Sequence, residues 1–212
     1  MTAVVLALGV AARQSLPIVA SADRYAARAP APAHRRPFRA SERTLVRRAQ
    51  RGSEEAIEAL FRSHWSRAWR AAYLIVHHRA AAEDIAQEAF LAAIRALDRF
   101  DRRRPFAPWL HRIVVNRSID WARARSLRRE VGAEVEETAA PIGGQPDHGY
   151  SREVVAALRS LPPDQRAVVV MRHLLEYTPG EIAAALGLPR GTVNSRLRRA
   201  LDRLGDALEG ER

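Results

Sequence analysis

The chain has 212 residues with 35 basic and 24 acidic side chains, a net charge of +11, and no cysteine. The lack of cysteine excludes disulfide frameworks, zinc fingers, iron–sulfur clusters and cysteine nucleophiles. All basic side chains are arginines, and their excess favours a polyanionic partner because arginine beside a phosphate releases condensed counterions. A GC-rich genome would explain the preference for arginine over lysine, but not the net excess. Length allows one large domain or two small ones.

Residues 1–40 are predicted to form a disordered leader. The apolar run over 2–12 is shorter than the roughly 20 residues that a membrane helix needs, and no positive charge precedes it as in a secretory signal. The segment 26–39 is rich in alanine, proline and arginine, which is typical of a flexible tail. A start codon assigned upstream of the true one would look the same. We therefore expect no membrane insertion.

Residues 41–126 predict a helical domain, because alanine, leucine, arginine and glutamate dominate them and all are good helix formers. Ser41 or Ser53 could cap a helix. Apolar residues repeat with a period near 3.6 over 57–76. A second helix is predicted over 82–100, and a third after Pro108. The residues predicted to face inward on the second helix are Ile85, Phe90, Ile94 and Leu97.

The segment 127–150 has no apolar period and reads as a flexible linker. It contains two prolines, two adjacent glycines, two arginines and five acidic residues, for a net charge of −3. A coil of this length has a root-mean-square span of roughly 25–30 Å and a fully extended reach of about 80 Å.

Residues 151–208 predict a second domain that contains a helix-turn-helix. Pro162 and Pro163 separate two helices. Thr178 and Glu181 have the spacing of a capping box around a third. Gly187 supplies the left-handed residue of a tight turn, and the last helix follows Pro189.

The last helix has a buried stripe and a polar outer face. The stripe consists of Val193, Leu197, Ala200, Leu201 and Leu204, while Gly191, Thr192, Ser195, Arg198 and Arg199 lie opposite it, with Asn194 and Arg196 on the flanks. This is the pattern that major-groove reading requires, since arginine can pair with guanine and asparagine with adenine. An ordinary helical hairpin with a solvated arginine face is the alternative.

No motif in the sequence points to catalysis. None of the seven histidines falls in an HExxH motif, and there is no phosphate-binding glycine loop or G-x-S-x-G elbow. We therefore expect neither an enzyme nor a metal or other cofactor. The pair His77-His78 is interpreted as a helix end near the carbonyl dipole.

Three blocks of sequence resemble one known family. "LRSLPPDQRAVVVMRHLLEYTPGEIAAALGLPRGTVNSRLRRALDRL" (158–204) looks very like region 4 of sigma-70-type transcription initiation factors, especially the extracytoplasmic-function group. "AAEDIAQEAFLAAIRALDRF" (81–100) resembles their region 2.2, and "RPFAPWLHRIVVNRSIDWARARSLRR" (104–129) resembles regions 2.3 and 2.4. The resemblance covers roughly residues 43–208.

The resemblance implies an all-α protein with two small helical domains joined by the acidic linker: a region 2 bundle over 41–126 and a region 4 helix-turn-helix over 151–208. Such factors bind core RNA polymerase in the cytoplasm, recognise the minus-ten and minus-thirty-five promoter elements, and help to melt the DNA. Many are held inactive by an anti-sigma factor, which is therefore an expected partner. The linker would thread toward the polymerase active site, unless it is only a solubilising spacer.

Carried over residue by residue, the resemblance assigns three sets of side chains. The polymerase-docking set is Asp84, Gln87, Glu88, Phe90 and Arg95. The minus-ten set is Arg112, Asn116, Arg117, Asp120 and Arg123, in which Asn116 would hold an unpaired base. The minus-thirty-five set is Arg190, Gly191, Thr192, Asn194, Ser195, Arg198 and Arg199.

Several alternatives remain open on the sequence alone. Phe90 could be a core residue rather than a contact, the charged residues of 84–88 could be a solvated face, and Trp109 and Trp121 could stack on bases or pack in the core. A free-standing helix-turn-helix regulator would use the same second domain without polymerase, and the arginine-rich segments could instead bind RNA.

Overall fold

The computed structural model describes the backbone of residues 37–130 and 152–209, all of it helix and connecting loop with no strand. Its helices are α1 (Pro37–Ala49), α2 (Glu54–Val76), α3 (Arg79–Arg95), a 3-10 turn (Leu97–Arg99), α4 (Phe106–Glu130), α5 (Arg152–Ser160), α6 (Pro163–His173), α7 (Pro179–Leu186) and α8 (Arg190–Glu209). The predicted leader lies outside the described residues except for 37–40, which begin α1. The predicted linker also lies outside them except for 127–130, which extend α4.

Local cap chemistry sets the ends of the helices in the first domain. Ser53 is the N-cap of α2, where its hydroxyl accepts a hydrogen bond from the backbone N–H of Ala56. His77 ends α2 in the left-handed conformation (φ 52°), and the Nδ1 of His78 accepts from the N–H of Ala81 as the N-cap of α3. The two adjacent histidines therefore end one helix and begin the next, whereas the sequence predicted a single helix end.

The core of the first domain lies where α2 crosses α3 and α4. The buried stripe of α3 is built largely from alanines, which let the helices approach closely, and includes Ala82, Ala86, Ala89 and Ala93. Ile85, Phe90 and Leu97 are buried as predicted. The prediction for Ile94 is wrong: this residue is 39% exposed, because it lies one residue, about 100° of helical rotation, beyond the alanine stripe.

The second domain is the helix-turn-helix that the sequence predicts. Thr178 and Glu181 form the capping box, in which each side chain accepts from the other's backbone N–H, at 3.3 and 2.8 Å. Gly187 ends α7 with φ 65°. The stripe predicted on α8 is buried, with Leu201 half-buried at its margin.

The two domains contact each other directly. Helix α6 packs against α2 and α4, α7 packs against α4, and α5 touches α2. A flexible linker alone would not predict this contact. Within the described ranges, none of the helices has the length and hydropathy needed to span a bilayer.

Candidate nucleic-acid interface

The outer face of α8 carries the predicted minus-thirty-five set. Arg190, Gly191, Asn194, Arg198 and Arg199 are exposed, while Thr192 and Ser195 are half-buried. The Ser195 hydroxyl donates to the Thr192 carbonyl (3.0 Å), and the Arg199 Nε donates to the Ser195 carbonyl (3.2 Å). These hydrogen bonds hold the side chains of Ser195 and Arg199 against α8.

Arg198 and Arg196 differ in what they contact. Arg198 makes no ion pair with any described residue, so its guanidinium is available to a base or a phosphate. Arg196, one turn from Thr192 on the flank of α8, is held at 3.2 Å by the carboxylate of Asp164 at the start of α6. Sequence reasoning placed Arg196 on the flank but did not find this partner.

The predicted minus-ten set lies on α4. Arg112, Asn116, Asp120 and Arg123 follow one another at spacings of three or four residues, which places them on one face of the helix. Asn116 is half-buried, and Arg112 and Asp120 are exposed. The Nη2 of Arg123 is ion-paired with Asp164 Oδ1 at 2.6 Å.

Arg117 belongs to the same set but points toward α3, where its guanidinium pairs with the carboxylate of Glu88. An open groove of about 380 Å³ runs between α3 and α4 at this pair, and it is lined on both sides by residues of the predicted sets. Trp121 forms part of its wall, with the Arg125 guanidinium over the ring at 5.2 Å. The polymerase-docking residues of α3 and the minus-ten residues of α4 are therefore adjacent along this groove.

The predicted polymerase-docking face is the exposed side of α3. Asp84, Gln87, Glu88 and Arg95 are exposed. Phe90 is not part of this surface, because it is 3% exposed and packs against Phe61 at a ring distance of 4.8 Å. Phe90 thus supports the face from within, which resolves its two interpretations in favour of the core.

Sequence reasoning missed the apolar part of the same surface. Leu91 is 51% exposed, Ile94 is exposed one turn farther along α3, and the exposed Phe61 of α2 contacts the buried Phe90 of α3. Leu91 lies midway between Gln87 and Arg95 at a spacing of four residues, so the surface alternates polar and apolar contacts along one row. That spacing is visible in the sequence and could have identified Leu91 as a docking residue.

Trp109 packs in the core of the first domain. Its ring lies 4.5 Å from Phe100 and 5.6 Å from Phe106, centroid to centroid. Trp121, the other tryptophan considered as a stacking surface, lines the open groove between α3 and α4.

A buried histidine and a tyrosine join the two domains. His111 on α4 and Tyr177, in the loop before α7, share a hydrogen bond of 2.6 Å between Nδ1 and the hydroxyl oxygen. Burial lowers the pKa of His111 to about 3, and the positive charges of its surroundings act in the same direction. Burial raises the pKa of Tyr177 well above its usual range. Both side chains are therefore neutral at pH 7.

The protein is expected to lose stability as the pH falls below 6.5. The unfolded chain binds a proton on His111 below about pH 6.5, whereas the folded chain does so only near pH 3. The free energy of unfolding should therefore decline by up to about 1.4 kcal/mol per pH unit for such a histidine. Urea titrations between pH 7 and 5 measure this decline. His111→Gln should be less stable at pH 7 but less sensitive to pH, and an unchanged slope would contradict the assignment.

Comparisons with known proteins follow the same division into two domains. The family model for sigma-70 region 2 matches residues 60–128, and the model for sigma-70 region 4 matches residues 151–204. The chain is 31% identical over 166 residues to RNA polymerase sigma factor CarQ of Myxococcus xanthus, covering 77% of this chain and 95% of that protein. It is 34% identical to the ECF RNA polymerase sigma factor SigE of Mycolicibacterium smegmatis, of whose length it spans 61%.

Solved structures agree with these relatives. The structure of CnrH in complex with the cytosolic domain of CnrY matches with a TM-score of 0.62 and 29% identity, over 81% of this chain and 99% of that one. The sigma factor RpoE of Bartonella quintana, solved with the anti-sigma factor NepR, matches with a TM-score of 0.53 and 27% identity, over 69% and 91% of the two chains. With both domains matched in order, the chain belongs to the sigma-70 family of RNA polymerase sigma factors, in its extracytoplasmic-function group.

Proposed function

We propose that this sigma factor docks on core RNA polymerase through α3, captures the minus-ten element with α4 and reads the minus-thirty-five element with α8. The observation that carries the proposal is that exposed side chains of the three sets lie on three different helices, each with the chemistry its role needs. An amphipathic row on α3 suits a protein partner. Arginine and asparagine on α4 and α8 suit phosphates and bases. The protein acts where polymerase and chromosomal DNA are, in the cytoplasm, and it performs no catalysis itself.

Run-off transcription with purified bacterial core polymerase on a library of random promoters tests the proposal. The expected result is initiation from a subset of sequences that share two elements, and only when both core polymerase and this chain are present. A free-standing regulator would instead bind duplex DNA tightly without core polymerase and would not co-purify with it. That outcome would contradict the proposal.

Reversing the charge at Asp84 and Glu88 together, in Asp84→Lys/Glu88→Lys, is expected to weaken binding to core polymerase by about tenfold or more. Both carboxylates are exposed on the face of α3 that lies away from Ile85 and Ala89. The helicity of the full chain should be unchanged. A pull-down with core polymerase and a circular dichroism spectrum measure the two quantities.

The matched control for that variant is Glu54→Lys/Glu58→Lys. It reverses two exposed carboxylates at the same spacing on α2, and no role in docking is assigned to them. Because Glu88 also pairs with Arg117, the single change Asp84→Lys separates the docking charge from the loss of that ion pair. Equal binding by the Asp84→Lys/Glu88→Lys variant and its control would defeat the assignment of α3.

An anti-sigma factor is the second proposed partner. CnrH was solved with the cytosolic domain of CnrY, and RpoE with the anti-sigma factor NepR, and both matches are too long to lie within one domain of this chain. The exposed apolar residues Phe61, Leu91 and Ile94 supply a surface on which such an inhibitor could compete with polymerase. The proposal predicts that an inhibitor captured by this chain is displaced by core polymerase.

A further inference from the structure

We propose that Ser126, near the C-terminal end of α4, is phosphorylated by an arginine-directed serine/threonine kinase, and that the phosphate blocks recognition of the minus-ten element. The block rests on the function proposed above, because it concerns the helix assigned there to this element. The modification itself does not, since it depends only on the residues around the hydroxyl.

Basic side chains surround Ser126 along the chain. Arg123 and Arg125 precede it by three residues and by one, and Arg128 and Arg129 follow it by two and by three. Ser126 is the only serine or threonine in the whole sequence that has an arginine three positions before it. An arginine-directed kinase binds such side chains with carboxylates beside its catalytic cleft, and this charge pattern selects the serine that is modified.

The structure exposes the residues that a kinase would contact. Ser126 is exposed. Leu127, directly after it, is 62% exposed, the greatest value among the exposed large apolar side chains of the described residues. It supplies the apolar contact that many such kinases make just after the serine. Ser118, two turns earlier on the same helix, is buried and therefore inaccessible.

A kinase binds its substrate as an extended segment, so the end of α4 must open locally. Ser126 lies one turn before Glu130, where α4 ends. The last four carbonyl groups of a helix have no partner within it, and helix ends open at a small part of the free energy of global unfolding. The Ser126 hydroxyl donates to the carbonyl of Ala122 at 3.0 Å, a hydrogen bond that such opening releases. The hydroxyl is therefore accessible without unfolding of the domain.

The modification is a phosphoryl transfer from the magnesium complex of ATP. The Oγ of Ser126 attacks the γ-phosphorus, the new O–P bond forms, the bond from that phosphorus to the β–γ bridging oxygen breaks, and ADP leaves. The proton of the hydroxyl passes to the catalytic aspartate of the kinase. At pH 7 the product carries a charge of about −1.5 to −2 and three strong acceptor oxygens.

The phosphate opposes DNA binding by α4 in two ways. Ser126 and Arg123 are three residues apart and therefore adjacent on the helix surface, so the phosphate competes with DNA for an arginine of the predicted minus-ten set. Arg123 already holds one anionic partner, the carboxylate of Asp164 at 2.6 Å. The phosphate also repels the phosphates of the promoter and is unfavourable near the C-terminal end of a helix.

Phosphorylation is tested on the full chain with magnesium, ATP and the catalytic domain of calmodulin-dependent protein kinase II, an arginine-directed probe. Mass spectrometry is expected to find phosphate on Ser126. Arg123→Ala should lower the rate at least tenfold, whereas Arg112→Ala, which removes an exposed arginine elsewhere on α4, should leave it unchanged. A lysate of the bacterium that encodes the chain, supplied with magnesium and ATP, should modify the same residue.

Ser63 on α2 is the internal control. It is exposed, and its hydroxyl donates to the carbonyl four residues earlier, that of Ala59, at 2.7 Å. It therefore matches Ser126 in exposure and hydrogen bonding but has no arginine three residues before it. Ser63 should remain unmodified. Absence of phosphate on Ser126 with the probe kinase or with the lysate would overturn the proposal.

Run-off transcription with core polymerase measures the effect on initiation. Ser126→Glu is expected to lower initiation at least fivefold, and phosphorylation of the wild-type chain should lower it further, because a phosphate carries about twice the charge of a carboxylate. Ser63→Glu adds the same charge to α2 and should initiate as the wild type does, as should Ser126→Ala. Binding of Ser126→Glu to core polymerase in a pull-down should be unchanged, which separates a loss of DNA recognition from a loss of folding.

The outcomes distinguish this proposal from the function on which it rests. Equal initiation by the phosphorylated and untreated chains would overturn the block but leave the proposed function intact. If the untreated chain fails to initiate, the proposed function fails, while mass spectrometry still decides whether Ser126 is modified. Removal of the phosphate by a phosphatase should restore initiation, and a loss that persists after its removal would also overturn the block.

Discussion

Arg166→Met is expected to lower the free energy of unfolding by about 3–5 kcal/mol. The guanidinium is buried and donates to four backbone carbonyls, three in its own domain and one in the other. Burial lowers the pKa of Arg166 to about 10, so the group is still charged at pH 7. Methionine fills a similar volume but donates to none of these carbonyls. The carbonyl of Leu158 still accepts from the backbone N–H of Leu161 at 3.2 Å, but the others lose the guanidinium, and an unsatisfied buried polar group is costly.

The control for this variant is Arg159→Met, because Arg159 is exposed and only its backbone carbonyl takes part in the arrangement. Its effect should stay within about 0.5 kcal/mol, as for other surface changes. Urea unfolding followed by circular dichroism measures both. A loss below about 1 kcal/mol for Arg166→Met would mean that water replaces the guanidinium at these carbonyls.

Arg198→Ala is expected to impair promoter recognition without affecting the fold. If Arg198 contacts a base edge, the change should cost about 1–3 kcal/mol and flatten the preference at one position of the minus-thirty-five element. If it contacts a phosphate, all promoters should weaken alike, and the log–log salt slope should fall by about one. The side chain is exposed in the N-terminal half of α8, about two turns from Arg190, and the N-terminal part of a recognition helix meets the bases in the major groove, which favours the base contact.

Leu197→Ala, at the neighbouring position, is expected to destabilise the fold rather than to change promoter recognition directly. Leu197 belongs to the buried stripe of α8, so its truncation should cost about 2–5 kcal/mol of stability through the cavity it leaves. Arg203→Ala removes an exposed arginine farther along the same helix and controls for general electrostatics. Urea unfolding measures the stability of Leu197→Ala, and initiation from a promoter library at several salt concentrations measures promoter recognition by Arg198→Ala and Arg203→Ala. Wild-type behaviour of Arg198→Ala at every promoter and salt concentration would show that α8 does not read DNA in this way.

Local interactions determine much of this protein, and these were accessible from the sequence. The N-cap at Ser53, the capping box of Thr178 and Glu181, and the left-handed Gly187 each depend on residues within four positions of one another. Such a cap can therefore be predicted from a few neighbouring residues in the sequence. The buried stripe of α8 likewise follows from the helical period. These local features were sufficient to predict the helix-turn-helix and to identify the family resemblance.

Features that depend on neighbouring elements were decided only by the tertiary structure. The helical period of α3 predicted that Ile94 faces the core. The buried stripe of α3 consists instead of the alanines that pack against α2 and α4, and Ile94 lies outside that stripe. The contact of Asp164 with Arg123 joins residues 41 positions apart, and that of His111 with Tyr177 joins residues 66 apart. The hydrophobic period and the capping residues of a helix predict the properties of that helix alone. The contact between the domains depends instead on how whole helices pack, and no short-range pattern encodes that.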